Sequence, residues 1–135
     1  MIIAYFHQKT LMILAVTINF TVPGKPVSYK RVTHGKKPHY PPEYTDYRDA
    51  VSLIARSVMR GADYTEKPVN VVVKVYQPLE VTNQHSGDID NYLKLIFDAL
   101  NKIVFKDDKQ VIQVIAYKYQ DKRNPRVEVS VTDEL

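Results

Sequence analysis

The spacing of hydrophobic residues changes along this chain, and those changes constrain its fold more than any other feature. Residues 12–22, MILAVTINFTV, alternate apolar and polar side chains, which predicts a strand with one buried face. The same period of two recurs in residues 69–77, 110–120 and 126–132. Residues 43–60 and 88–103 instead space their apolar side chains by about 3.6 positions, the period of an α-helix.

These segments follow the order β-loop-α-β-α-β-β, which predicts an α+β fold with a single mixed β-sheet and two helices packed on it. The length of 135 residues suits one domain over residues 1–135, with residues 1–11 as an N-terminal extension of it. Because only the short turn DKRNP separates the last two strands, we expect them to form an antiparallel hairpin.

Composition excludes several classes of protein. The chain has no cysteine, which excludes disulfides and thiolate metal sites. No segment approaches the ~20 apolar residues of a membrane-spanning helix, and the N-terminus lacks the basic region of a signal peptide. With only four glycines there is no glycine-rich phosphate loop, so we expect no organic cofactor. A cytoplasmic protein without a membrane partner is predicted.

Positive charge is concentrated in residues 25–40, here called the basic segment. It contains no acid and carries five cationic residues, Lys25, Lys30, Arg31, Lys36 and Lys37. Its prolines and its length predict a long loop, which in a compact domain is usually functional or mobile. We interpret it as a DNA-binding segment, the alternative being a solvated surface loop. Tyr29 and Tyr40 within it would either stack on exposed bases or pack on the sheet.

Acidic residues gather around the second predicted helix. Asp88 and Asp90 stand at its start, where acids commonly cap free N–H groups, and Asp107 and Asp108 lie in the turn after it. Three converging carboxylates would repel one another unless a cation held them together, and oxygen ligands select Mg²⁺ or Mn²⁺. Spacing alone leaves open whether they converge within one chain or across a symmetric dimer.

Three further residues near these acids have functional and structural interpretations. Lys94 follows Asp90 by one helical turn, so it either forms an ordinary ion pair with Asp90 or contacts a phosphate beside the metal. His85 is interpreted as a surface residue in preference to a metal ligand or base. Asp98 is interpreted as a solvated helix acid or a salt-bridge partner.

The motifs G-D-I-D-N-x-x-K-x-x-x-D-A-L-N over residues 87–101 and D-D-x-Q-V over residues 107–111 resemble the RusA family of Holliday junction resolvases. Members of that family carry the first motif on a helix and the second just before the next strand. The resemblance is tight over residues 87–119 and looser over the rest of the chain.

This resemblance implies a RusA-like fold and a homodimer that binds branched, four-way DNA junctions. It further implies a bacterial or prophage endodeoxyribonuclease of DNA recombination and repair, which nicks two opposing strands with Mg²⁺ or Mn²⁺. Asp88, Asp90 and Asp108 match the family's catalytic, metal-binding carboxylates, and Lys94 matches its catalytic lysine. Asp107 is the alternative to Asp108, although alignment on D-D-x-Q favours Asp108.

Three other hypotheses remain beside junction resolution. One is a nuclease that prefers flaps or other branched DNA, and another is a DNA-binding dimer without catalytic activity. A third reading, in which the acids merely cap a helix and a turn, predicts a structural protein with no metal site.

Overall fold

A computed structural model of the chain describes residues 2–5, 13–30, 32–34 and 37–133, with side chains from residue 17 to 30 and from 39 to 133. Its helices are α1 (Pro42–Met59) and α2 (Ile89–Leu100). Its strands are β1 (Ile2–Tyr5), β2 (Ile13–Pro23), β3 (Val32–His34), β4 (Lys37–His39), β5 (Val69–Gln77), β6 (Val111–Gln120) and β7 (Arg126–Asp133). The predicted α+β class, with one mixed sheet, two helices and this order of elements, is confirmed.

Three short strands add to the predicted order. Residues 2–5 of the predicted N-terminal extension pair with β2 as β1, whereas residues 1 and 6–11 lie outside the described part of the chain. The basic segment, predicted as a loop, contains the small antiparallel hairpin β3–β4. Alternating residues that pair across a tight turn can form such a hairpin without joining the main sheet.

The five-stranded sheet has the strand order β1-β2-β7-β5-β6, in which only β5 and β6 are parallel. The predicted hairpin of the last two strands is therefore wrong. Helix α2 carries the chain back across the sheet, so β6 starts beside the start of β5 and runs parallel to it. The turn after β6 then returns the chain to the centre, where β7 pairs with both β2 and β5.

Both helices cover one face of the sheet. Strand β5 points alternate valines into that face, and Val69, Val71, Val73 and Val75 are at most 1% exposed. Facing residues of β2 and β7 share the same core, to which α1 contributes Val51 and Ala55. In the part of the chain that the structure describes, the far side of the sheet carries no helix, and β6 is an edge strand.

Helix α2 is shorter than the predicted residues 88–103, and not all of its apolar residues are buried. It ends at Leu100 because Asn101 adopts an extended conformation and Lys102 a left-handed one, at φ 64°. The buried side chains are Tyr92, Leu95, Ile96, Ala99 and Leu100. Ile89, in the first turn of the helix, is 38% exposed. Among the described residues, no helix is long and apolar enough to span a membrane.

Candidate functional site

The start of α2 carries two exposed acids, Asp88 and Asp90. Asp88 occupies the N-cap position with extended backbone, yet its carboxylate makes no capping hydrogen bond. Asp90 accepts a 3.0 Å bond from the adjoining Asn91 N–H and is otherwise directed to solvent. The helix-capping interpretation therefore fails for Asp88, and both carboxylates retain free oxygen lone pairs for a ligand.

Gly87 lets the basic segment approach this acidic end of α2. A Cβ at Gly87 would lie 2.7 Å from Tyr92 Cζ and 2.8 Å from Ser28 Cβ, too close for any other residue. The Gly87 N–H donates to the Tyr92 hydroxyl at 3.2 Å. The Tyr29 N–H donates to the Asn91 carbonyl at 2.8 Å. The first residues of the basic segment are thus docked on the first turn of α2.

Two of the predicted DNA-binding residues line a polar pocket at this junction. The exposed side chains of Lys25 and Lys30 share the pocket with His85 and Gly87, while Glu43 contributes one opposing charge. A cationic pocket beside the acids of α2 is suited to a phosphate group. Arg31 and Lys36 lie outside the described residues. The backbone of Lys37 belongs to β4, but its side chain is not described.

Lys94 lies over an aromatic ring in place of the predicted ion pair. Its Nζ is 3.9 Å from the centroid of Tyr29, and the salt bridges among the described side chains do not include it. Tyr29 in turn meets Tyr40 and Tyr44 edge-on at centroid distances of 5.9 and 5.5 Å. Tyr40 and Tyr44 stack at 4.8 Å. These three rings, here called the tyrosine cluster, pack against α2 and leave Tyr40 45% exposed.

The tyrosine cluster also reaches Asp98, the third residue on the Asp90–Lys94 face of α2. The buried Tyr44 hydroxyl donates to Asp98 Oδ2 at 2.8 Å. Burial, followed by the hydrogen bond and the charge of Asp98, raises the pKa of Tyr44, so the hydroxyl keeps its proton and remains a donor. Asp98 is therefore a specific acceptor in a polar contact, and Tyr44 was missed because its partner lies 54 positions away in sequence.

The two acids of the D-D-x-Q turn differ in their contacts, because only Asp107 caps the turn. Asp107 caps the 3-10 turn Asp108–Gln110, accepting from the Lys109 N–H at 2.8 Å, while Gln110 Oε1 accepts from the Asp107 N–H at 2.9 Å. Gln110 also donates to the carbonyls of Thr65 and Lys67 at 2.8 and 2.9 Å. Asp107 and Gln110 thus form a reciprocal capping box that anchors the turn.

The side chain of Asp108 takes no part in this capping box. Partial burial raises the pKa of Asp108, and the negative charges of Asp107 and Asp98 raise it further. An acid held beside like charges costs stability and gains from a cation, which is the behaviour of a ligand residue. The capping box thus occupies the Asp107 carboxylate and leaves that of Asp108 outside it.

Asp108 nevertheless lies at the opposite end of the sheet from Asp88 and Asp90. Lys118, near the end of β6, donates to the Gly87 carbonyl at 3.1 Å, whereas Asp108 directly precedes the start of that strand. Val111 and Lys118 are seven strand positions apart, or about 23 Å at 3.3 Å per residue. Among the described residues of one chain, no three His, Asp or Glu side chains are grouped to hold a metal ion.

The residues of a single chain thus supply the right donors for a hard divalent cation but do not gather them. Asp88 and Asp90 form one pair of oxygen donors, and Asp108 with Asp98 lies elsewhere. Within the described residues of one protomer, Asp88, Asp90 and Asp108 do not form a three-carboxylate site, and such a site would need carboxylates from another source.

Comparison with known proteins shows which class of protein has this combination of sheet, acids and basic segment. That class is the endodeoxyribonucleases. The sequence model described as Endodeoxyribonuclease RusA matches residues 23–132. This range includes the basic segment, α2 and the D-D-x-Q turn. The chain belongs to the RusA family.

Individual relatives extend over nearly the same part of the chain. The sequence is 33% identical over 138 residues to the uncharacterized protein YqaN of Bacillus subtilis strain 168, covering 86% of this chain and 96% of YqaN. It is 29% identical over 119 residues to the crossover junction endodeoxyribonuclease RusA of Escherichia coli strain K12, covering 87% and 95% of the two chains. The crossover junction endodeoxyribonuclease of Enterobacteria phage 82 matches to the same extent.

Proposed function

We propose that this protein is a metal-dependent endonuclease that resolves four-way DNA junctions by paired nicking in DNA recombination and repair. Membership of the RusA family supports nuclease activity, and the names of its relatives support crossover junctions as the substrate. The observation that carries the proposal is the pair of exposed acids, Asp88 and Asp90, at the start of α2. The Asp88 carboxylate makes no capping hydrogen bond, and a cationic pocket lies directly beside the pair. With DNA as the substrate, we expect the protein to act in the cytoplasm.

The acids and the basic segment have complementary tasks in this proposal. An acidic site repels DNA, so a nuclease of this kind needs nearby cations to hold the phosphates. Lys25 and Lys30 stand on the same pocket as Gly87, one residue from Asp88. The hydrogen bond from Tyr29 to Asn91 fixes the distance between the cationic and acidic groups. Phosphate held by the basic segment would therefore lie against the acids of α2.

Mg²⁺ or Mn²⁺ would be held by Asp88, Asp90 and Asp108, whose carboxylates are the hard oxygen donors that these ions prefer. When bound, such an ion neutralises part of the phosphodiester charge and lowers the pKa of a bound water molecule. Lys94 would neutralise charge on the phosphate or on the leaving oxygen, because its ammonium lies on the same helix face one turn beyond Asp90.

A homodimer is the second part of the proposal, and it rests on the free edge formed by β6. This strand is ten residues long, and on one side it pairs with none of the described strands. It exposes Ile112 at 59%, Ile115 at 42% and Tyr117 at 41%, which is unusual for an edge strand in contact with water. The flank of α2 above it adds the exposed Ile89 and the half-buried Leu93 and Phe97. A second copy of the chain would cover this apolar surface.

The two ends of β6 differ in charge in a way that suits a twofold arrangement. Asp107 and Asp108 precede the strand, whereas Lys118, Lys122 and Arg123 lie at its far end or just beyond. A twofold axis that sets two β6 edges antiparallel would bring each acidic end towards the basic end of the partner. Because Lys118 contacts Gly87, this arrangement moves Asp108 of one chain towards Asp88 and Asp90 of the other.

Cleavage of a synthetic four-way junction by the Asp90→Asn variant tests the proposal. We expect wild type to nick two opposing strands in Mg²⁺, and Asp90→Asn to bind the junction with similar affinity without nicking it. Glu80→Gln, which neutralises an exposed acid in the loop before α2, is the matched control and should cleave normally. Full cleavage by Asp90→Asn would remove the catalytic assignment.

Parallel digestion of a flap and a linear duplex decides between the remaining hypotheses. A flap cleaved faster than the junction would identify the flap nuclease. Tight binding of all branched substrates, with no nicking by wild type in Mg²⁺ or Mn²⁺, would identify a non-catalytic DNA-binding dimer.

A further inference from the structure

The contact between Tyr29 and Lys94 joins the DNA-binding part of the protein to the face of α2 that carries the acids. Tyr29 belongs to the basic segment, and Lys94 lies midway along α2. The Lys94 ammonium is 3.9 Å from the Tyr29 ring centroid, within the range in which a cation is attracted to the face of an aromatic ring. Lys94 is exposed, so this ring is the principal restraint on its long side chain.

Tyr29 is itself held from two directions. Its backbone N–H is bonded to the Asn91 carbonyl, one helical turn before Lys94. The edges of Tyr40 and Tyr44 meet its ring, and Tyr44 is fixed by its hydrogen bond to Asp98, one turn after Lys94. The ring that Lys94 contacts is therefore tied to α2 on both sides of the lysine.

We propose that Tyr29 is a positioning residue for Lys94. It holds the ammonium on the face of α2 shared by Asp90 and Asp98, and it places Lys94 in register with the phosphate that the basic segment binds. A freely rotating lysine would spread its charge over many conformations, whereas a ring face restricts the ammonium without neutralising it. This inference rests on the proposed nuclease function, in which Lys94 acts on the phosphate.

The tyrosine cluster gives this restraint a second consequence. Tyr29 lies near the start of the basic segment and Tyr40 at its end, and the rings of both contact the ring of the buried Tyr44. DNA that engages the segment therefore acts on the same three rings that position the lysine. Binding and alignment of Lys94 are coupled through side-chain contacts shorter than 6 Å between ring centroids.

Two substitutions test whether the aromatic face of Tyr29, and not its apolar volume, restrains Lys94. Tyr29→Phe keeps the aromatic face, whereas Tyr29→Leu keeps apolar volume without it. Under single-turnover conditions, Tyr29→Leu should slow junction cleavage about three- to thirty-fold, the factor that corresponds to a cation–π contact of about 0.7–2 kcal/mol. Tyr29→Phe should cleave at nearly the wild-type rate, and saturating protein concentrations remove any difference in junction affinity from the measured rates. Tyr64→Leu, an exposed tyrosine outside the cluster, is the control.

A second measurement reads the contact without cleavage. In protein with ¹³C-methylated lysines, ring current should shift the Lys94 signal upfield, and its absence from Lys94→Arg assigns it. The shift should persist in Tyr29→Phe and vanish in Tyr29→Leu. If wild type cleaves but Tyr29→Leu cleaves equally fast, or if Tyr29→Phe is equally slow, the inference is overturned. If wild type does not cleave, the nuclease proposal fails, and an unshifted Lys94 signal would overturn the positioning contact independently.

Discussion

In the turn before β6, the side chains of Asp107 and Gln110 form a reciprocal capping box. The Asp107 N–H donates to Gln110 Oε1 at 2.9 Å, while the Asp107 carboxylate accepts from the N–H of the intervening Lys109. Their neighbour Asp108 takes no part in this box and lies beside two other negative charges. The paired acids of the motif thus carry different duties, one structural and one available to a ligand.

Alanine at each of the two acids should separate these duties. Asp107→Ala removes an N-cap and should lower the free energy of unfolding by about 1 kcal/mol while leaving junction cleavage measurable. Asp108→Ala relieves like-charge repulsion, so its stability should equal or exceed that of wild type, while cleavage is lost. Urea denaturation and junction cleavage measure the two effects. The opposite pattern, with a destabilised Asp108→Ala that still cleaves, would exchange the roles.

Gly87→Ala should damage the junction between the basic segment and α2. The added methyl group would overlap Tyr92 and Ser28, and overpacking of this kind costs about 1–3 kcal/mol. Thermal unfolding should show the loss, and a gel-shift assay should show weaker junction binding. Ser28→Gly in the same chain removes one of the two obstacles and should recover part of the stability. A Gly87→Ala protein as stable as wild type would mean that this close approach does not exist in solution.

Mixed dimers should reveal whether the metal site uses acids from both chains. We expect Asp90→Asn and Asp108→Asn homodimers to be inactive. In a mixed dimer with a shared site, one site carries both substitutions and the other carries neither, so nicking of a single strand should return. Differently tagged chains allow the mixed dimer to be purified, and Mn²⁺ binding followed by electron paramagnetic resonance should return with it. A mixed dimer as inactive as its parents, beside an active wild type, would assign each site to one chain.

The turn between β6 and β7 should contribute to stability in a pH-dependent manner. Backbone bonding from Asn124, together with Arg126, lowers the pKa of Asp121 from its ordinary value of 3.8. A carboxylate with a lowered pKa stabilises the fold above that ordinary value, and the contribution is lost as pH falls through the lowered pKa. Asp121→Asn should therefore be less stable than wild type at pH 7, and the difference should shrink below about pH 4. A difference that stays constant in urea titrations down to pH 2 would contradict this assignment.

Local patterns in the sequence were sufficient to predict the elements, but not their neighbours. The alternating valines of β5 report which face of that strand is buried, and the 3.6-residue period predicted α2 as a helix. The central position of β7 was not predicted, because strand pairing depends on contacts far apart in sequence. The hairpin expectation failed since proximity along the chain favours, but does not fix, the partner of a strand.

The same limit applies to the candidate site. Residue types and spacing predicted Asp88, Asp90, Lys94 and one of Asp107 and Asp108 as its members, and the resemblance to the RusA family favoured Asp108. The roles of these residues stay predictions. The separation of Asp108 from Asp88 follows from the direction of the α2 crossover, which spacing does not encode. The contact of Tyr44 with Asp98 and that of Tyr29 with Lys94 were missed, because each joins different elements and neither pair has a sequence signature.

The central place of β7 has a consequence for how this protein is made. Strand β7 is the last of the described strands to leave the ribosome, yet β2 and β5 depend on it as their shared neighbour. The sheet cannot close before β7 has been synthesised, so until then the valines of β5 lack the antiparallel partner strand that β7 provides. A nascent chain stalled before Arg126 would therefore expose these valines and would be a substrate for chaperones and proteases.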